Sequence, residues 1–201
     1  HALPTRRSSD LEEHPHYATG LNNLATLYES MGQYAKAEPL CRQALEIYRK
    51  ALGENHPDYA TSLNNLANLY MTMGEYAKAE PLLRQALRIS RRQGEEHLGF
   101  ATSLHNLALL YYSMGEYAKA EPLYLQVVEI TKKALWEGEE APSYAVSINS
   151  LAILYTSMGE YEKAEPLYLQ ALEIRRKVLG GEHSETARSL NDLAAHYLST
   201  G

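Results

Sequence analysis

Five copies of one short string constrain this chain more than any other feature. Leu21-Asn22-Asn23-Leu24-Ala25 returns as Leu63-Asn64-Asn65-Leu66-Ala67, Leu104-His105-Asn106-Leu107-Ala108, Ile148-Asn149-Ser150-Leu151-Ala152 and Leu190-Asn191-Asp192-Leu193-Ala194, at steps of 42, 41, 44 and 42 residues. A period of this size marks a repeat architecture, in which each unit is one supersecondary element that buries its apolar face only against its neighbours. Two further strings keep the same period. Met-Gly-x-Tyr starts at Met31, Met73, Met114 and Met158, and Ala-Glu-Pro-Leu at Ala37, Ala79, Ala120 and Ala164. The chain reads as four repeats, approximately 12–53, 54–94, 95–138 and 139–181, plus the first helix of a fifth over 182–201.

Inside a unit the apolar positions follow a 3.6-residue period, with Leu63, Leu66, Ala67 and Tyr70 on one face and Ala79, Leu83, Ala86 and Leu87 on another. Each unit is therefore two helices and the fold class is all-α. Glycine breaks the pair at Gly74 and its equivalents, where a left-handed conformation ends a helix. A second break, such as Gly53-Glu54-Asn55-His56-Pro57, ends the unit, with proline in a first helical turn that tolerates its missing N–H. These signals place first helices near 15–31, 57–73, 98–114, 142–158 and 184–200, and second helices near 34–51, 76–93, 117–135 and 161–179. The unequal spacings fall in the second break, around Gly94 and around Trp136 to Gly138, where length changes leave helix pairs intact. Pro39, Pro81, Pro122 and Pro166 lie about five residues into each second helix, where proline removes a hydrogen bond. The expectation is that these helices start late, with a slight bend.

Composition narrows the function classes. The chain is 45% apolar and 22% charged, which is globular rather than disordered. A net charge of −6 with cations spread along the chain argues against a nucleic-acid binder. The single cysteine, Cys41, rules out a disulfide framework or a cysteine-based zinc site. No apolar run approaches the roughly 20 residues that span a bilayer, so no membrane partner is expected and the localisation read from the sequence is cytoplasmic. The 16 tyrosines are the compositional oddity against one Trp and one Phe. Twelve of them occupy three repeat positions, those of Tyr28, Tyr34 and Tyr17, and so follow from the repetition itself.

Leu66, Ala67, Tyr70, Gly74, Tyr76, Ala79, Leu83 and Ala86, with the Gly-Glu-x-His-Pro turn, resemble the tetratricopeptide repeat, in the 42-residue form seen in kinesin light chains and many bacterial proteins. The resemblance covers nearly everything from Glu12 to Gly201. It implies a right-handed α-solenoid superhelix of stacked antiparallel helix pairs, whose first helices line a concave groove that binds extended or helical peptides. Residues 1–11, which resemble translated adapter sequence, are expected to be a non-native leader. Gly201 aligns with Gly74, so the chain reads as a fragment ending halfway through a repeat, from a larger bacterial protein.

Nothing in the sequence assembles catalytic chemistry. The glycines form no phosphate-binding pattern. His14, His56, His97 and His183 share one position at the start of a first helix, where a local structural role outweighs metal ligation. Cys41 aligns with Leu83, Tyr124 and Tyr168 and reads as a buried structural thiol. The glutamates at 38, 80, 121 and 165, each two residues after a lysine, read as charge balance between adjacent helices on a solvated surface. No catalytic residue, cofactor or metal site is therefore expected.

The groove is the remaining candidate. Carrying the family's groove positions onto this sequence gives Asn22, Asn64, Asn68, His105, Leu109, Tyr112, Val146, Asn149, Ile153 and Asn191 as binding residues. Asn22, Asn64, Asn149 and Asn191 form a ladder interrupted by His105. A carboxamide both donates and accepts, so the ladder either pairs with a peptide backbone or bonds neighbouring helices. The Lys and Arg that clamp a carboxylate in chaperone-binding members are missing here, as is the basic groove of light chains that capture acidic cargo. The expected ligand is a neutral to mildly apolar protein or peptide segment, anchored at Leu109, Tyr112, Val146 and Ile153. The function read from the sequence is a protein–protein interaction scaffold, not an enzyme. A sensor array controlling a fused signalling ATPase or protease domain is the alternative, as is self-association through the array ends.

Overall fold

A computed structural model of the chain describes residues 13–136 and 141–200. Among these are nine α-helices and no strand: α1 (Pro15–Ser30), α2 (Tyr34–Leu52), α3 (Pro57–Thr72), α4 (Tyr76–Arg91), α5 (Leu98–Ser113), α6 (Tyr117–Trp136), α7 (Ala141–Ser157), α8 (Tyr161–Leu179) and α9 (Ser184–Thr200). Every helix expected from the periodicity is present, within two residues at each end. The leader expected over 1–11 lies outside the described residues, as does most of the insertion after Trp136.

The punctuation works as its residue types dictate. Gly74 takes φ +74°, its N–H bonds Met71 O at 3.0 Å, and the next N–H, of Glu75, reaches Tyr70 O at 2.8 Å. This closes the helix end with the 6→1 bond of a Schellman turn and sends α4 back along α3. At the other break His14, His56 and His97 are N-caps whose Nδ1 accepts the backbone N–H two residues on, at 3.1–3.2 Å. His183 makes the same bond to the N–H of Glu185. The histidine column thus satisfies donors that a helix start leaves open.

The prolines correct one expectation. The second helices begin at Tyr34, Tyr76, Tyr117 and Tyr161, and Pro39, Pro81, Pro122 and Pro166 lie inside them, so there is no late start. The physical reason is the helix face they occupy. All four prolines are exposed, and so are Ala35, Ala77, Ala118 and Glu162, whose carbonyls lose their helical donor four residues on. Water can reach those carbonyls, which removes the burial cost that makes an internal proline severe.

The chain divides into two compact units, one ending at Gly94 and the other beginning at Glu95. In the first, α1 packs on α2, α2 on α3 and α3 on α4, with a further contact from α1 to α3. Ala18, Leu21, Ala44, Ile47, Tyr48, Tyr59, Leu63 and Ala86 belong to one core that draws on all four helices. In the second, α5 to α9 pack successively and α7 also meets α9. Tyr144, Ile148 and Ala171 form a core there with Val128, Leu167 and Ile174. No single helix pair encloses either core, which is why the repeats depend on stacking.

Candidate binding face

Successive first helices carry the expected binding positions, and the structure joins them through polar side chains. Thr72 of α3 donates to Glu29 of α1 at 2.8 Å. The Tyr112 hydroxyl of α5 meets the Ser157 hydroxyl of α7 at 3.0 Å. Between α7 and α9, Asn149 Nδ2 donates to Asp192 Oδ2 at 2.8 Å and Thr156 Oγ1 lies 3.0 Å from His196 Nδ1. In Asn149 the bond between neighbouring helices is present. Its amide nitrogen holds the next first helix, while its carbonyl oxygen is buried without a hydrogen-bond partner. Asn22, 7% exposed, also leaves its carbonyl oxygen unpartnered, as does Asn68. Asn64 is buried on α3, whereas Asn191 is exposed on α9.

The second unit brings most of the apolar positions together at two clefts. One, of about 400 Å³, lies between the start of α5, the far end of α6 and the start of α7. It is lined by His105 and Val146 together with Leu98, Thr102, Val127 and Thr131, among others. The other, of about 270 Å³, is lined by Tyr112 and Ile153 with Tyr168, Asp192, Ala195 and His196, among others. Leu109, Asn149 and Asn191 line neither. His105 is half-buried against the Tyr124 ring, whose centroid is 5.5 Å away in an edge-on arrangement. Burial holds its imidazole below the usual histidine pKa, so His105 acts here as a neutral donor or acceptor. His196 and Asp192, absent from the sequence-derived set, belong to this face. Only the packing of α9 on α7 reveals them.

The glutamate column proves more specific than surface charge balance. Tyr70 of α3 donates to Glu38 of α2 at 2.7 Å, Tyr155 of α7 to Glu121 of α6 at 3.1 Å, and Tyr197 of α9 to Glu165 of α8 at 2.7 Å. Arg42 closes the first of these, donating through Nη2 to the Tyr70 oxygen at 2.5 Å and through Nε to Glu38 at 2.9 Å. The bonds from Tyr70 and Arg42 hold the Glu38 carboxyl below its ordinary pKa, and burial with the Glu38 charge pushes the Tyr70 phenol up to about 12. The preceding lysines turn elsewhere. Lys78, Lys119 and Lys163 pair with Glu75, Glu116 and Glu160 at 2.5 Å and sit 5.0–5.3 Å over the rings of Tyr70, Tyr111 and Tyr155. Within each unit one tyrosine column thus ties a second helix to the next first helix.

Cys41 is buried, and burial raises its thiol to about 11, far from the thiolate that reactive cysteines need. Among the described residues no three His, Cys, Asp or Glu side chains are placed to hold a metal ion. No described helix is long and apolar enough to cross a membrane.

These features define an all-α repeat array of stacked helix pairs. The tetratricopeptide repeat model matches residues 16–92, 62–133 and 143–201, and the chain belongs to that family. Two solved structures resemble it along most of both chains. One is a Podosopora anserina protein described as a kinesin light chain with nearly identical TPR-like repeats, 32% identical, with a TM-score of 0.76 over 94% of this chain and 88% of that one. The other is BtubC of P. vanneervenii, 29% identical, with a TM-score of 0.77 over 93% and 74%. The Rap protein complexed with Competence and Sporulation Factor shares the fold at 20% identity, with a TM-score of 0.69 over 92% of this chain and 54% of that one. Among curated proteins no match was found.

Proposed function

We propose that this array is a cytoplasmic, non-catalytic scaffold for protein–protein interaction, and that the face formed by the first helices of its second unit receives a neutral to mildly apolar peptide segment. The observation that carries the reading is the pattern on that face in the second unit. Val146 and the ring of His105 line one cleft, and Ile153 and Tyr112 line the other. Apolar anchors at Val146 and Ile153 supply affinity once desolvated. The family supports an interaction role, and a fold neighbour has been solved with a bound factor. Peptides selected from a random library on the wild-type chain provide the test. Ile153→Glu, at a half-buried position, should weaken them at least tenfold with helical content unchanged. Equal affinity would remove the groove from the site.

Self-association through the array ends is a second reading. It is favoured by Leu27 of α1, 55% exposed, and Leu198 of α9, 86% exposed. Light scattering over a concentration series tests it, and a mass that stays monomeric at every concentration would exclude it.

A further inference from the structure

One inward column of the second helices changes size from repeat to repeat. Tyr48, Ser90, Thr131 and Arg175 occupy the same repeat position, seven residues after Cys41, Leu83, Tyr124 and Tyr168. Within the first unit Tyr48 is buried and its hydroxyl lies 2.8 Å from Thr19 Oγ1. Thr19 donates its own proton to Pro15 O, so Tyr48 is the donor in that pair. Within the second unit Arg175, 2% exposed, crosses to α9, where Nη1 donates to Ser189 Oγ at 2.5 Å and Nη2 lies 3.5 Å from Glu185. A long side chain is thus buried at this position in both places.

Thr131 does not fill it. This side chain is buried, but its hydroxyl lies 2.8 Å from Val127 O and 2.7 Å from the Ser147 hydroxyl, which in turn lies 2.8 Å from Tyr144 O. The polar atoms at the floor are satisfied within the protein, and the cleft of about 400 Å³ stands above them. Its remaining walls are largely apolar, from Leu98, Ala101, Val127, Pro142 and Val146. At the mouth is Thr102, the equivalent of Thr19. Its hydroxyl donates to Leu98 O at 3.0 Å, as Thr19 does to Pro15 O, which leaves its oxygen able to accept.

We infer that this cleft receives a tyrosine side chain of a partner, whose ring takes the space that Tyr48 fills in the first repeat and whose hydroxyl donates to Thr102. The occupant follows from the chain's own example: the same wall positions, the same threonine acceptor and the same internal bond on that threonine, with the phenol supplied in one repeat and left out in another. A phenol suits the cleft because its ring buries against apolar walls while its polar tip meets the threonine acceptor at the rim. A charged or strongly polar side chain would find no partner on a floor whose hydroxyls are already engaged. The inference rests on the groove reading above, which gives the partner segment its path.

The probes are p-cresol and toluene, titrated into the full chain and followed by amide chemical shifts. p-Cresol should move the resonances of Ala101, Thr102, Val127 and Val146 and bind several-fold more tightly than toluene. Thr131→Tyr, which copies Tyr48, should weaken p-cresol at least tenfold with helical content retained. Unmoved resonances at those residues, or equal p-cresol binding to wild type and to folded Thr131→Tyr, would overturn the pocket. Thr102→Val, at an exposed position, should keep toluene binding and abolish the preference for p-cresol; a preserved preference overturns the assignment even if Thr131→Tyr fails to fold. The library peptides separate the two readings. Peptides that bind wild type and Thr131→Tyr alike yet lose affinity with Ile153→Glu would sink the pocket and leave the groove standing. If no peptide binds, the groove falls and the p-cresol titration still decides the pocket.

Discussion

At the scale of single residues, the tyrosines and histidines recur in fixed columns, and each column has a separate physical task. Tyr70, Tyr155 and Tyr197 pack against one repeat and donate to a glutamate of the repeat before. The most connected of these is Tyr70, buried at the ring and hydrogen-bonded to both Glu38 and Arg42. Tyr70→Phe should cost about 1.5–3 kcal/mol in urea unfolding at neutral pH, the range for a hydrogen bond to a charged group. The pH dependence has a definite sign. The Glu38 carboxyl is held below its ordinary value of 4.5, so its contribution is present above that value and lost as pH falls through the lowered folded value. The stability gap between wild type and Tyr70→Phe should therefore narrow below about pH 4.5. A gap that is constant from pH 7 to pH 3 would show that Glu38 is not the acceptor that matters.

At the scale of elements, the second helices hold a proline without breaking, which a count of propensities argues against. Placement resolves this. Each proline and the carbonyl it leaves without a donor are on the exposed face, and the buried face, with Ala79, Leu83 and Ala86 of α4, runs on undisturbed. Proline there still sacrifices a backbone hydrogen bond, so Pro81→Ala should stabilise the chain. The gain should be about 1–2 kcal/mol, less than the ~3 kcal/mol of a helix-interior proline because the alanine chain has more freedom to lose on folding. Thermal unfolding of that variant is the measurement. A lower melting temperature would mean that the proline shapes the helix in a way the packing needs.

At the scale of the whole molecule, stability in a stacked array is a sum over neighbours. Within the first unit α3 has nine buried residues and α1 has four. Within the second, α7 has nine and α9 has four. Amide hydrogen exchange should accordingly be slowest along α3 and α7 and faster along α1 and α9, since opening free energy follows the apolar contacts that must be broken. Uniform protection within a unit would instead mark it as a single all-or-none folding block. The same additivity lets one repeat differ in side-chain volume from its neighbours without collapse. A cleft beside Thr131 is therefore compatible with a well-packed array.

How much of this was legible in the sequence depends on the range over which each interaction acts. The helices, the glycine turns, a local structural role for the histidines and the all-α repeat class followed from the period, because 3.6-residue spacing and positive φ at glycine are settled within a few residues of chain. The ten candidate binding residues were legible as positions on one helix face, but their partners were not. Asn149 with Asp192 and Tyr112 with Ser157 meet across more than forty residues. The glutamate column looked like solvated charge because its tyrosine partners lie about thirty residues away. The Thr131 cleft was the least legible, since three helices contribute its walls and only their summed volumes show whether space remains. Sequence by itself determined the elements and their order. Tertiary structure alone decided which polar atoms meet and where a cavity opens, because both depend on distances between helices that no local pattern encodes.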